Sequence, residues 1–116
     1  MKLQTARGVR DIPPEEKIVK NNVVTSLQSM FERYGFLPLE TPIIERFETL
    51  AAKGGAGTAS DALKETFTFQ DQGKRKLGLR FELTTSLARY VTQNPTLKLP
   101  FKRYEMGPVF RDGPIK

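Results

Sequence analysis

The sequence predicts a small single domain of mixed α and β structure. Its 116 residues can form one hydrophobic core but not two. One segment has apolar residues at helical spacing, and a later segment alternates apolar and polar residues on both sides of a polar turn, as in a β-hairpin. The chain has no long apolar run and no internal repeat, so neither a membrane-spanning nor a repetitive architecture is expected.

The first predicted element is a helix over about residues 14 to 34. Two prolines and then Glu15 and Glu16 precede its apolar positions, and both residue types are favoured in the first turn of a helix. One apolar stripe recurs at steps of mostly three and four: Ile18, Val19, Val23, Leu27, Met30, Phe31 and Tyr34. Gly35 is predicted to end the helix in a left-handed conformation.

The following stretch, "FLPLETPIIERF", predicts a strand at a sheet edge or at a contact with another chain. It has no helical period, and Pro38 and Pro42 each lack the N–H group that a central strand needs. A short helix is expected in "FETLAAK". The glycine-rich "GGAGTAS" is predicted to be a lid or linker, because it lacks the Lys-Ser/Thr ending of a phosphate-binding P-loop.

The second half of the chain predicts a hairpin, a helix and a final strand. The hairpin alternates Phe67 and Phe69 before its turn with Leu77, Leu79 and Phe81 after it. In "TTSLARYVTQ", hydroxyl residues can cap a helix whose apolar face consists of Leu87, Ala88 and Val91. The strand is "FKRYEMGPVF", with a bend expected at Gly107 and Pro108.

Composition restricts the chemistry that the chain can perform. It has no cysteine and no histidine, which excludes disulfides, thiolate metal sites and histidine-dependent triads. The net charge of +6 arises entirely after residue 70, because residues 71–116 contain ten basic and four acidic residues. This asymmetry fits either a phosphate-binding surface or an ordinary solvated basic face. The N-terminus has no apolar segment typical of a signal peptide, so a cytoplasmic protein is expected.

Four stretches in order are similar to a class II aminoacyl-tRNA synthetase, most closely to the histidyl-tRNA synthetase family. "RGVRDIPPEE" resembles the family's N-terminal entry and "YGFLPLETPIIE" resembles motif 1. "LRFELTTSLARYV" resembles the substrate-binding strand and helix, and "YEMGPVFRDGP" the first arm of motif 2.

This resemblance implies an α+β fold in which an antiparallel sheet is flanked by helices, and a homodimer that forms through residues 36–45. It also implies that residues 1–116 are the N-terminal part of a single catalytic domain. That part is incomplete, with motif 1 and the first arm of motif 2 but without motif 3 and the anticodon-binding domain. By itself the chain is therefore expected to be weakly active or inactive.

The activity implied by the resemblance is the joining of histidine to tRNA(His). Histidine and ATP, which is accompanied by Mg²⁺, give histidyl-adenylate and pyrophosphate, and the histidyl group then moves to the tRNA. Arg111 matches the motif 2 arginine that bridges the α-phosphate and the amino-acid carboxylate, a role that suits a permanently charged fork of donors. No metal ligand is assigned to the protein itself.

The amino acid's ammonium group needs an anionic partner, and Glu82 matches the family's acidic residue for that role. Thr84 is expected to point to the same side of a strand and add its hydroxyl, while Leu83 offers backbone contacts. Many class II synthetases have glutamate two residues after the motif 2 arginine to contact the nucleotide's amino group, but Gly113 stands there. Asp112 or backbone groups are the expected substitutes.

Two other functions remain open at the level of sequence. One is a catalytically silent paralogue, similar to the histidine-sensing regulatory subunit of ATP phosphoribosyltransferase. Retention of both Glu82 and Arg111 favours the enzyme, because a regulator can dispense with the α-phosphate arginine. The other is a basic RNA-binding module, which is disfavoured because the aromatic residues fall at predicted core positions.

Overall fold

The structure is a computed structural model that describes residues 1–52 and 62–114. The predicted lid or linker "GGAGTAS" lies outside these residues. In chain order the main elements are α1 (Pro14–Arg33), β1 (Leu37–Pro38), β2 (Ile44–Arg46), α2 (Phe47–Ala51), β3 (Thr68–Gln70), β4 (Lys76–Leu79), α3 (Thr84–Gln93) and β5 (Arg103–Tyr104). No helix within the described ranges is long and apolar enough to span a membrane.

Helix α1 begins and ends as its sequence predicts. Pro14 occupies the first helical position, where its missing N–H group leaves no bond unmade. At the other end Gly35 has φ +87°, the left-handed conformation that glycine adopts without strain. The N–H groups of Gly35 and Phe36 donate to the carbonyl oxygens of Glu32 and Phe31 at 3.1 and 3.0 Å. This pair of bonds is the Schellman arrangement that stops a helix.

Most of the apolar stripe on α1 is not covered by the described part of the chain. Ile18, Val19 and Val23 are 61, 62 and 54% exposed. Phe31, near the end of the helix, is the exception and stacks on Tyr104 of β5 with ring centroids 5.3 Å apart. The helix therefore meets the rest of the described residues chiefly at its C-terminal end.

The strands of the described residues form two separate ladders. The three-stranded sheet has the order β2-β4-β3 and is antiparallel throughout, with Phe69 opposite Leu77, so the predicted hairpin is confirmed. β1 pairs with β5 in parallel, which is a departure from the antiparallel expectation at this one ladder. The N–H groups of Leu37 and Leu39 donate to the carbonyl oxygens of Lys102 and Tyr104 at 3.0 Å, while the intervening Pro38 needs no donor on that side.

The buried residues are more polar than the alternation of the sequence suggests. The buried apolar residues are Leu50, Phe81 and Tyr104, and the buried polar ones are Thr41, Glu45, Thr66, Arg80, Thr85 and Ser86. The expectation that the aromatic residues occupy core positions is wrong for Phe67 and Phe69, which are 40 and 38% exposed.

Two expectations about the last third of the chain also need correction. Helix α3 buries Thr85 and Ser86 against the sheet, whereas Ala88 and Val91 of its predicted apolar face are exposed. The final strand is limited to Arg103–Tyr104, because the residues after it bond to other segments rather than to β1.

Candidate functional site

A buried polar junction joins the end of β4 to the segment that follows β5. Arg80, 3% exposed, donates from Nε to the carbonyl oxygen of Pro108 at 2.9 Å and from Nη1 to that of Thr41 at 3.0 Å. Glu105 lies 3.5 Å from Nη1 and accepts from the N–H and hydroxyl groups of Thr41 at 2.8 and 2.7 Å. Hydrogen bonds from Thr41 support this buried charge pair at Oε2 of Glu105, whereas Oε1 is buried without a hydrogen-bond partner in the described part of the chain.

Two backbone hydrogen bonds fix the residues on either side of Arg111. The N–H of Phe110 donates to the carbonyl oxygen of Arg80 at 2.9 Å, and the N–H of Asp112 donates to that of Glu65 at 2.6 Å. The side chain of Arg111 itself is exposed and makes no hydrogen bond or ion pair within residues 1–52 and 62–114. The structure thus presents a guanidinium group on a segment whose backbone is held from both sides.

The carboxylate of Glu82 lies at the start of α3 and is surrounded by donors. It accepts from the N–H groups of Thr84 and Thr85 at 2.5 and 2.9 Å and from both of their hydroxyl groups. Burial alone would raise the pKa of Glu82, but the hydrogen bonds from Thr84 and Thr85 outweigh it and lower the pKa to about 2. Glu82 is therefore ionised at neutral pH.

The structure corrects the expected geometry of Glu82 and Thr84. β4 ends at Leu79 and Thr84 is the first residue of α3, so the two side chains do not share a face of a strand. They nevertheless contact each other, since the Thr84 hydroxyl donates to Glu82. The predicted capping by hydroxyl groups is also corrected: the glutamate satisfies the first N–H groups of the helix, and the threonines help to hold the glutamate.

Leu83 occupies the N-cap position of α3 and is half-buried. Its carbonyl oxygen accepts from the N–H of Leu87 at 3.4 Å. Glu82, Leu83 and Thr84 thus lie together at the start of α3. Arg111 and Asp112 lie on the segment that follows β5. No hydrogen bond or ion pair joins Glu82 to Arg111, but both lie within two residues of the bond between Arg80 and Phe110.

Helix α3 is anchored to β2 by a second ion pair that sequence reasoning did not identify. Arg89 donates from Nε to both carboxylate oxygens of Glu45, at 3.0 and 2.9 Å, and the Ser86 hydroxyl donates to the same carboxylate at 3.3 Å. No local sequence signal marks Glu45 or Arg80 as buried, because a charged residue beside a hydrophobic one in a predicted strand ordinarily faces solvent.

The space beside Gly113 contains a carboxylate from elsewhere in the chain. A β-carbon placed on Gly113 would lie 2.9 and 3.1 Å from the two carboxylate oxygens of Glu65. Asp112 is exposed, and its N–H is bonded to the backbone of the same Glu65. The carboxylates of Glu65 and Asp112 therefore both lie on or beside the segment that carries Arg111. Glu65 could not be identified from the sequence alone.

The arrangement can bind two kinds of charge. An ionised carboxylate held by hydroxyl and N–H donors is suited to an ammonium group, and an exposed guanidinium is suited to a phosphate or carboxylate. Within residues 1–52 and 62–114, no group of three or more acidic, cysteine or histidine residues could hold a metal ion.

Comparison with known proteins gives a consistent result along nearly the whole chain. The family model described as histidyl-tRNA synthetase matches residues 8–115. Histidine--tRNA ligase 1 of Bacillus cereus (strain ATCC 14579) is 49% identical over all 116 residues, which cover 27% of that relative. Histidine--tRNA ligase of Aeropyrum pernix is 45% identical over 90% of the chain and 24% of the relative. The chain thus spans about a quarter of the length of these curated relatives.

Solved structures share the fold. Histidyl-tRNA synthetase from Nostoc sp. PCC 7120 matches with a TM-score of 0.82 and 32% identity, over 95% of this chain and 25% of that one. A structure described as an ATP phosphoribosyltransferase regulatory subunit/histidyl-tRNA synthetase from Bacillus halodurans C matches with a TM-score of 0.80 and 25% identity, over 93% of this chain and 27% of that one.

Proposed function

The chain belongs to the histidyl-tRNA synthetase family, and on this premise we propose that it supplies part of a site that activates histidine with ATP and transfers it to tRNA(His). The observation that carries the proposal is the placement of an ionised Glu82 and an exposed Arg111 on two segments that one backbone hydrogen bond joins. The proposed location is the cytoplasm, where tRNA is charged.

In the proposed reaction, Glu82 binds the α-ammonium group of histidine and Thr84 keeps the Glu82 carboxylate in place. Leu83 adds a backbone contact to the amino acid. An oxygen of the histidine carboxylate attacks the α-phosphorus of ATP, the bond from that phosphorus to the bridging oxygen of the β-phosphate breaks, and pyrophosphate leaves. The attacking carboxylate is already ionised, so the step needs no general base.

Arg111 is the proposed catalytic residue because adenylation brings two anions together. Its guanidinium group can donate to the histidine carboxylate and to an α-phosphate oxygen at once, and it favours the charge that develops on the phosphate. The exposure of Arg111 supports this role, because a bound substrate could reach its guanidinium group.

Asp112 is the proposed acceptor for the amino group of adenine, in place of the family glutamate that Gly113 replaces. Glu65 is the second candidate, because its carboxylate fills the space beside Gly113. Mg²⁺ enters the proposal with ATP, whose phosphates would supply most of its oxygen ligands.

Dimerisation through residues 36–45 is a separate part of the proposal. Leu37, Ile43 and Ile44 are 64, 39 and 47% exposed, and exposed apolar side chains within one short segment are a surface that a dimer interface could cover. Sedimentation velocity of the complete gene product at micromolar concentration tests this part. A dimer is expected, and a strictly monomeric protein would contradict it.

The reaction is tested by ATP/pyrophosphate exchange with the complete gene product that contains these residues, each amino acid being supplied in turn. Exchange with histidine alone is expected, together with its loss in Arg111→Ala. Absence of exchange while histidine still binds would assign the protein to the regulatory class, to which the match with the Bacillus halodurans structure gives a structural counterpart.

A further inference from the structure

We propose that Arg80 is a positioning residue for adenylation: its buried guanidinium group holds the segment that carries Arg111 in register with the strand end that leads to Glu82. The effect of Arg80 on catalysis rests on the proposed function. Its effect on the position of the Arg111 segment depends only on contacts within this chain. Nothing in the proposed reaction uses Arg80 directly, since it is only 3% exposed.

Arg80 contacts the Arg111 segment at two points. Its Nε donates to the carbonyl oxygen of Pro108 at 2.9 Å, and its own carbonyl oxygen accepts from the N–H of Phe110 at 2.9 Å. These two bonds lie on either side of Val109 and directly before Arg111. Because Arg80 also precedes Glu82 by two residues, one residue connects both halves of the proposed site.

The guanidinium group is suited to this task in a way that an ammonium group is not. Nε points to Pro108 while Nη1 points to Thr41 and Glu105, so the fork bonds in two directions at once. A lysine has one terminal nitrogen and can keep the partnership with Glu105 only by releasing Pro108. The space is also closed on the other side, because a methyl group added at Gly107 would collide with Nη2 of Arg80.

The chain contains a matched control for a merely structural role. Arg89 and Glu45 form another largely buried ion pair, with side chains 24 and 5% exposed and an Nε to oxygen distance of 2.9 Å. Arg89 bonds to Glu45 and Gln93 and makes no hydrogen bond to residues 105–112. Comparing Arg80→Lys with Arg89→Lys therefore separates loss of a buried arginine from loss of the contact with Pro108.

The positioning of the Arg111 segment is tested by hydrogen exchange and mass spectrometry on the complete gene product and the two variants. In Arg80→Lys, amides in peptides covering residues 106–112 are expected to exchange on the order of tenfold faster, because local opening becomes easier. Arg89→Lys is expected to leave these peptides unchanged. Equal protection of residues 106–112 in wild type and Arg80→Lys would overturn the proposal.

The catalytic part is tested by histidine-dependent ATP/pyrophosphate exchange on the same proteins. For Arg80→Lys we expect kcat to fall on the order of 10²-fold with the KM for histidine within about twofold of wild type, because a small displacement of Arg111 weakens the transition state more than the ground state. Arg89→Lys should keep its kcat. An unchanged kcat in Arg80→Lys would overturn the positioning role. Absence of exchange in wild type would instead overturn the proposed function, while hydrogen exchange would still decide whether Arg80 holds the segment.

Discussion

The turn that carries Glu82 and the segment that carries Arg111 are held in opposite ways. The Glu82 side chain is fixed by its sequence neighbours, since Thr84 and Thr85 donate to it with both their backbone and hydroxyl groups. Around Arg111 the backbone is fixed instead, by bonds to residues that are distant in sequence, while the side chain is exposed.

This difference means that the Glu82 side chain should serve both stability and function, whereas the Arg111 side chain should serve function alone. Removing the Glu82 carboxylate also removes the partner of the first N–H groups of α3, so folding and binding should suffer together. Removing the Arg111 guanidinium leaves every described hydrogen bond in place, so function alone should suffer. Variants at Glu82 should therefore lose both stability and substrate binding, whereas variants at Arg111 should lose activity without losing stability.

Arg111→Ala is expected to have the largest effect. Histidine-dependent exchange should fall on the order of 10²- to 10³-fold, because a charged donor to the developing phosphate charge is lost. The free energy of unfolding should change by less than about 0.5 kcal/mol, as is usual for an exposed side chain without contacts. Exchange kinetics and thermal unfolding of the complete gene product measure both quantities. Arg46→Ala, which removes another exposed arginine together with its ion pair to Glu48, is the control. Exchange near the wild-type rate in Arg111→Ala would remove Arg111 from the mechanism.

Glu82→Gln is expected to have a smaller but double effect. The KM for histidine should rise about ten- to 100-fold, since the ammonium group loses an ionic partner, and the protein should be less stable by about 1 kcal/mol. Steady-state kinetics and urea unfolding measure the two changes. If stability fell and the KM did not move, Glu82 would be a helix cap and nothing more.

The same contrast explains what the sequence could and could not predict. Features set by near neighbours were predicted well: the end of α1 at Gly35, the hairpin of β3 and β4, and the existence of α3. Family motifs brought Glu82 and Arg111 to attention for the same reason, because each motif is a local pattern.

Features that depend on distant partners were not predictable. The parallel pairing of β1 with β5 joins residues 37–38 to 103–104, and no local pattern indicates its direction. Arg80 lies in an alternating strand where a charge would ordinarily face solvent, yet its partners Thr41 and Pro108 lie 39 and 28 positions away and bury it. Hydrophobic periodicity identified α1 as a helix, but it could not tell which surface covers the apolar stripe.

The contribution of Glu82 to stability should depend on pH in a defined direction. Its pKa is lowered from 4.5 to about 2 in the folded chain, so the folded state favours the ionised form. The stabilisation is complete above pH 4.5 and is lost as the pH falls toward about 2. Because the group is partly exposed, we expect about 1 kcal/mol in total. The stability difference between wild type and Glu82→Gln should shrink over this range in urea titrations at successive pH values. A difference that stayed constant would mean that the carboxylate's charge is not what caps α3.

The smallest expected effect concerns the carboxylate near the nucleotide base, on the side of Arg111 away from Phe110. Asp112→Asn should raise the KM for ATP about three- to tenfold and leave the KM for histidine unchanged, because a neutral amide is a weaker acceptor for an amino group than a carboxylate. Glu65→Gln is the matched comparison, since it removes the charge beside Gly113 and keeps the side-chain size. Kinetics at varied ATP concentration distinguish the two residues. If Glu65→Gln had the larger effect, the adenine base would be recognised by Glu65, which precedes the hairpin of β3 and β4 in the chain. Nucleotide binding would then depend more than histidine binding does on contacts between residues that are distant in sequence.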